Sequence, residues 1–200
     1  IMQRRNFLKI LGVSSLAPSS LDAATTNAKN DLNDILVDAF SFREKGGWVV
    51  DPQFIEQMGS PYLLAHGMGK PVANASTTIT VKKTGKYQVW VRTKNWCPGK
   101  WEAPGRFQVV VDGKKNKTVF GTQDGWAWQK GTSVDLAVGE TKLELADLTG
   151  FEGRCEAIFF TTNADFTPPN DLKKLAAWRN RQHGGSLSGD IDETHDFDLV

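Results

Sequence analysis

Through the middle of the chain, apolar and polar residues alternate with a period of two, as in a strand with one buried face. Residues 35–42, 76–82, 86–93, 106–111, 133–138, 141–146 and 156–161 have this character and are rich in β-branched and aromatic side chains. Thr84-Gly85 precedes the third segment, Asp112-Gly113 follows the fourth and Gly139 lies between the fifth and sixth, each a turn signal. Residues 117–120 would return from the Asp112-Gly113 turn. Within 86–93, Tyr87, Val89 and Val91 share one face and Gln88, Trp90 and Arg92 the other; a ring as large as Trp90 predicts a cover from a loop or a second sheet. Trp48, Phe107 and Phe159 also fit core positions. The pattern gives about eight or nine short strands with no long helical period between them. That predicts an all-β antiparallel β-sandwich of jelly-roll type, not βαβ units.

The period changes after the last strand. Thr167-Pro168-Pro169-Asn170 stops it, and Asn170 or Asp171 caps a short helix to about Arg181, with Leu172, Leu175, Ala176 and Trp178 spaced for one buried face. The polar, glycine-rich stretch 183–192 reads as a linker, and Asp196-Phe197-Asp198-Leu199-Val200 begins another β-type segment, which predicts a longer protein. At the other end, Arg4-Arg5-Asn6-Phe7-Leu8-Lys9 precedes an apolar run from Ile10 to Ala17 and small residues through Ala24. A basic head, apolar middle and small-residue tail describe an export signal, and the paired arginines are similar to a bacterial twin-arginine signal. The expected organisation is a signal over 1–28, a sandwich over 29–166, a helix over 167–182 and a linker from 183. Such a signal predicts a periplasmic or extracellular location.

The chain has 200 residues, 40% hydrophobic and 24% charged, enough for a packed core. A net charge of +1 argues against a nucleic-acid partner, and no apolar stretch is long enough to predict a membrane span. Cys97 and Cys155 are the two cysteines; no CxxC accompanies them, and the sequence leaves open whether they pair.

Two loops are rich in tryptophan. Asn95-Trp96-Cys97-Pro98-Gly99-Lys100-Trp101 and Gly125-Trp126-Ala127-Trp128 place indole rings between strands. Sugars present C–H faces to such rings while neighbouring polar groups bond the hydroxyls. The candidate ligand-binding residues are therefore Trp96, Trp101, Trp126, Trp128, Asn95 and Arg92. The same rings would also serve as plugs of the sandwich or as a docking face for another domain, and Arg92 would bind a carboxylate or pair on the surface. His66 is the one histidine within the strand region; no nucleophile and orienting partner accompany it, so the sequence contains no catalytic set.

A resemblance sharpens this picture. The stretches Gly46-Gly47-Trp48-Val49-Val50-Asp51, Phe54-Ile55-Glu56-Gln57-Met58-Gly59-Ser60-Pro61-Tyr62-Leu63-Leu64-Ala65-His66-Gly67, Gly85-Lys86-Tyr87-Gln88-Val89-Trp90-Val91-Arg92 and Asp147-Leu148-Thr149-Gly150-Phe151-Glu152-Gly153-Arg154-Cys155 are distinctive. Together they resemble the N-terminal golvesin/xanthan-lyase-type, carbohydrate-binding-like domain of exported bacterial FAD-dependent oxidoreductases, over about residues 31–182. The resemblance implies a galactose-binding-like sandwich without catalytic residues. It also implies partnership with a carbohydrate or with a flavin domain, and FAD bound only downstream, where residues 197–200 would begin a dinucleotide-binding strand. A module of a polysaccharide lyase or hydrolase, or a standalone sugar-binding domain, is the alternative. Related modules hold a structural calcium through acidic residues on the first and last strands. By that resemblance Asp38 and Glu156 are candidate metal ligands, although Phe40 stands where a second acid of the first strand is expected.

Overall fold

The computed structural model describes residues 33–97, 99 and 102–184. The expected export signal, most of the linker, the segment 196–200 and Trp101 lie outside the described residues. In chain order the strands are β1 (Ile35–Asp38), β2 (Trp48–Asp51), β3 (Tyr62–His66), β4 (Ala75–Val81), β5 (Gly85–Thr93), β6 (Phe107–Val111), β7 (Lys114–Lys115), β8 (Ala127–Lys130), β9 (Val134–Leu136), β10 (Gly139–Asp147) and β11 (Phe151–Thr161). A single-turn helix, α1 (Ile55–Met58), joins β2 to β3, and α2 (Leu172–Gln182) follows β11.

These strands form two sheets whose ladders are all antiparallel. The larger runs β2-β3-β11-β5-β8, with β1 beside the second half of β11 and β9 beside the start of β5. The smaller runs β4-β10-β6-β7. The fold is therefore the expected antiparallel β-sandwich of jelly-roll type. Between the sheets, Tyr87, Val89 and Val91 of β5 and Ile158 and Phe160 of β11 meet Val109, Val111, Leu143 and Leu145 from the smaller sheet. Trp48 closes one end against Phe107, ring centres 5.6 Å apart and edge to face.

The alternation in β5 holds, with Gln88, Trp90 and Arg92 opposite the core face. The cover over Trp90, however, is neither a loop nor the second sheet. It is α2, which packs Leu175 and Trp178 onto Trp90, Trp128, Ala157 and Phe159 to make a second apolar cluster on the outer face of the larger sheet. Strand β11 is thus buried on both faces over most of its length, which explains its near-continuous apolar run. Asp171 caps α2 by accepting from the Lys174 amide at 3.0 Å. The buried stripe is narrower than the spacing predicts. Leu172 and Ala176 are exposed, and the face is completed by Arg179.

Other departures have local causes. The first segment stops at Asp38 because a 3-10 turn, Ala39–Ser41, intervenes, with the Ser41 hydroxyl donating to the Asp38 carbonyl at 2.7 Å. Residues 117–120 form no strand. Asn116 diverts them, since its side chain accepts from the Thr118 and Thr132 amides and donates to the Thr132 carbonyl. β2, β3 and β8 are further strands whose sequences carry little alternation. The two cysteines are free thiols, both buried.

Truncating Trp178 removes the ring that joins α2 to the sheet. Trp178→Ala is expected to lower stability by about 3–5 kcal/mol, whereas Leu172→Ala on the exposed side should change it by less than about 0.5 kcal/mol. Urea unfolding followed by fluorescence checks both.

Candidate ligand-binding site

The outer face of the larger sheet has two halves. The half under α2 ends in a buried ionic layer. Glu156 is fully buried at a bulge, because Thr93 pairs with Cys155 and Arg92 with Ala157, leaving Glu156 as an extra residue turned to the outer face. The Arg179 guanidinium donates to the carboxylates of both Glu156 and Asp38, and the Ser60 hydroxyl also donates to Glu156. His183 approaches the second Asp38 oxygen at 3.1 Å. Arg92 lies on the other side of Glu156, Nη1 to Oε2 3.6 Å, and is 1% exposed. Burial lowers the Arg92 pKa, and the nearby Glu156 charge counters this. For Arg179 burial also works against the charge, but Glu156 and Asp38 together hold it above its ordinary value.

This layer revises two expectations. Arg92 is neither a surface pair nor an exposed ligand group, since the sheet and α2 enclose it. Asp38 and Glu156 do converge, but the cation between them is Arg179. Calcium takes six to eight oxygens; here two carboxylates and one hydroxyl surround a guanidinium, with Arg92 alongside, and that donor set does not suit a calcium ion while α2 is docked. Among the described residues no group of three or more His, Cys, Asp and Glu could hold a metal. Trp128, expected on the ligand platform, is also a core residue. It is 6% exposed, lies 5.7 Å from the Trp178 ring, and donates through Nε1 to the Pro169 carbonyl at 3.2 Å.

The other half of the face is open. Here Phe54 is the hub of a ring cluster, with centres 5.7 Å from Trp96, 5.9 Å from Trp126 and 6.0 Å from Tyr62. Tyr62 lies 5.1 Å from Trp126. Trp96 is 37% exposed, Phe54 and Trp126 are half-buried, and Tyr62 is the buried floor. The two loops are tied to each other. The Asn95 amide donates to the Gln123 carbonyl at 2.8 Å, and the Asn95 side chain donates to Asp124 at 3.1 Å. Asn95 is thus a positioning residue for both tryptophan loops. Tyr62 is pinned by donating its hydroxyl to Asp51 at 2.8 Å, and burial, with that bond second, pushes its phenol well up. Sequence reasoning missed Phe54 and Tyr62. Their signal was the aromatic spacing in the stretch 54–62, legible only with β2, α1 and β3 folded against one another.

Charge is arranged around these rings. Arg154, 1% exposed, donates to the Glu152 carboxylate and to the Trp96 carbonyl, and its guanidinium carbon lies 5.0 Å from the Trp96 ring centre. Glu152 also pairs with His66 Nδ1 at 2.6 Å. Glu152 is the extra residue of a second irregularity in β11 and has φ 64°, a conformation costly for a residue with a side chain. Gly150, with φ 67°, makes the turn before it possible: a Cβ there would meet the Lys70 carbonyl at 1.9 Å. Lys94 completes the site, with Nζ 4.1 Å from the Phe54 ring centre and 5.4 Å from that of Trp96.

No family model and no curated protein matches the sequence. Solved structures do share its fold. A GH26-CBM35 β-(1,4)-mannanase from Podospora anserina matches with a TM-score of 0.53 and 18% identity over 68% of this chain and 29% of that one. A family 35 carbohydrate binding module from Clostridium thermocellum matches with a TM-score of 0.51 and 14% identity over 64% of this chain and 96% of that one. The chain therefore spans less than a third of the mannanase, and at these identities the likeness is one of fold: a carbohydrate-binding-module β-sandwich.

Removing Arg179 leaves two enclosed carboxylates without their main cation. Arg179→Ala is expected to lower stability by about 3–5 kcal/mol, because breaking one partner of a buried pair exposes the cost of burying the others. Denaturant unfolding measures it, and an unchanged midpoint would contradict the layer described.

Proposed function

We propose that this chain is a non-catalytic, carbohydrate-binding accessory module, and that the open ring cluster is its binding face. The observation that carries the reading is the convergence of Phe54, Trp96 and Trp126 from three separate segments onto one exposed patch over Tyr62. Rings held edge to face by one another offer a sugar a preformed surface, so binding loses little side-chain entropy. The fold supports the reading, since the mannanase carries a module of this shape and the Clostridium thermocellum protein is described as one. Against catalysis in these residues stands the setting of His66, which pairs with Glu152 while Glu152 holds Arg154, a group that contains no nucleophile.

The finer reading attaches the module to an exported FAD-dependent oxidoreductase of the golvesin/xanthan-lyase-like type. Its support is the resemblance over residues 31–182 and the twin-arginine pattern at Arg4-Arg5, a signal suited to a protein exported already folded. A dinucleotide-binding glycine fingerprint encoded after Val200 tests it; a lyase or hydrolase domain there replaces it with the alternative.

The test of binding is Trp96→Ala. Loss of one stacking ring should weaken glycan binding about fivefold or more, corresponding to roughly 1 kcal/mol. The melting temperature should stay nearly unchanged, because the ring is partly exposed. A glycan array followed by calorimetry on wild type and variant reads this. A large stability loss with no glycan bound by the wild type would identify the cluster as packing, and strong tryptophan quenching without any glycan would favour a docking face.

A further inference from the structure

The ionic layer beneath α2 is complete in its own atoms. Its two acids come from different strands, Asp38 from the end of β1 and Glu156 from the bulge in β11, and all four of their carboxylate oxygens face a donor or a cation. Arg179 donates through Nη1 to Glu156 Oε1 and through Nη2 to Asp38 Oδ1. The Ser60 hydroxyl shares Glu156 Oε1, Arg92 Nη1 stands 3.6 Å from Oε2, and His183 Nε2 stands 3.1 Å from Asp38 Oδ2. Every carboxylate oxygen that a metal would use is thereby taken. The charges close as well. Before His183 is counted, two carboxylates meet two guanidiniums. A divalent ion added to this layer would bring two positive charges without counter-ions to a place where Glu156 and Arg92 are 0% and 1% exposed. The planar fork of Arg179 turns separate nitrogens to separate acids and so ties β1 to β11, as a multivalent ion would. The helix holds that fork in place. Asp171 caps its start, and Trp178, next to Arg179, lies 4.9 Å from the Phe159 ring centre and 5.7 Å from that of Trp128.

We propose that Arg179 takes the place of the structural calcium that the resemblance implies: the module ties β1 to β11 through a guanidinium carried on its own chain, takes up no calcium there, and includes α2 in its folded unit. This goes beyond the carbohydrate-binding reading and holds whatever ligand the open face takes. A cation fixed to the chain is not lost to a chelator, so the stability of the module is set by the docking of α2 and not by the calcium around it. The boundary expected at residue 166 is then too early. A sandwich ended there loses Arg179 and leaves Asp38 and Glu156 with Arg92 as their remaining guanidinium.

The experiment melts the full chain, followed by near-ultraviolet circular dichroism, after stripping with EDTA and after dialysis against millimolar calcium. Elemental mass spectrometry measures the calcium that each sample keeps. The two wild-type samples should melt within about 1 °C of each other, whereas an ion held at a hundred times its Kd would separate them by roughly 5–10 °C. Arg179→Ala should lower the melting temperature by roughly 10 °C in either buffer. Arg179→Lys keeps the charge but not the fork, and should fall between the two. A wild-type melting temperature that falls on chelation overturns the proposal. So does an equivalent of calcium in the wild type that Asp38→Asn abolishes, or an Arg179→Ala chain that melts with the wild type. The chelation and calcium measurements use wild-type protein, so they decide whether a metal holds this layer even if the Arg179 variants fail to fold.

Discussion

A carboxylate with no solvent contact sits in the middle of the strand that joins the larger sheet together. Glu156 lies on β11, which pairs with β1, β3 and β5, and it is fully buried. A charge there is tolerated only with cations and donors on every side. Arg92 comes from the neighbouring strand, Ser60 from the turn before β3, and Arg179 from a helix far along the chain. Each of these must be in place for the others to be stable. A hydrophobic trio of the same volume would bury as well, so the layer does less for net stability than for placement. It fixes the depth and direction at which α2 crosses the sheet, and Trp178 beside Arg179 then finds Trp128 and Phe159.

The division of the outer face follows. Because α2 is held by Arg179 at the ionic layer, the helix covers Trp90, Trp128 and Phe159 and stops there. The helix does not reach the rings beyond the layer. Among the described residues, Phe54, Trp96 and Trp126 pack against one another, with Tyr62 beneath and the Lys94 and Arg154 cations over the Phe54 and Trp96 rings. The outer face of the same sheet therefore carries a sealed aromatic cluster and a more exposed one, separated by charge. Both glutamates that organise this, Glu152 and Glu156, sit where β11 inserts an extra residue. Bulges turn them onto a face that regular alternation would have denied to one of each pair.

Much of the sandwich was legible because period-two alternation survives where a strand meets solvent on one side, as in β4 and β10. It fails for β3 and β8, whose outer faces are covered or joined to the ring cluster, so Tyr62-Leu63-Leu64 and Ala127-Trp128 show no period to read. The helix was legible from Pro168-Pro169 and Asp171, yet its buried face was not. Arg179 looks like a solvated charge until Glu156 and Asp38 are seen beneath it. For the same reason the acids on β1 and β11 suggested a metal, where a residue 141 positions from Asp38 supplies the positive charge. Trp96 and Trp126 stood out by type; Trp128, two residues on, belongs instead to the cluster under α2, a boundary no local pattern encodes.

The strain at Glu152 links scaffold and site. A left-handed conformation at a residue with a side chain costs of order 1–3 kcal/mol and persists only where surroundings enforce it. Here Asp147 accepts from the Thr149 and Gly150 amides, Gly150 fits against Lys70, and the Gly67 amide donates to the Gly150 carbonyl at 2.8 Å. That turn delivers Glu152 onto Arg154, and Arg154 in turn holds the Trp96 carbonyl. The exposed ring is therefore set by a chain of contacts that begins in a tight turn away from it. Arg154 is also the charge felt by Lys94. One arginine thus both holds the Trp96 main chain and adds positive charge beside its ring.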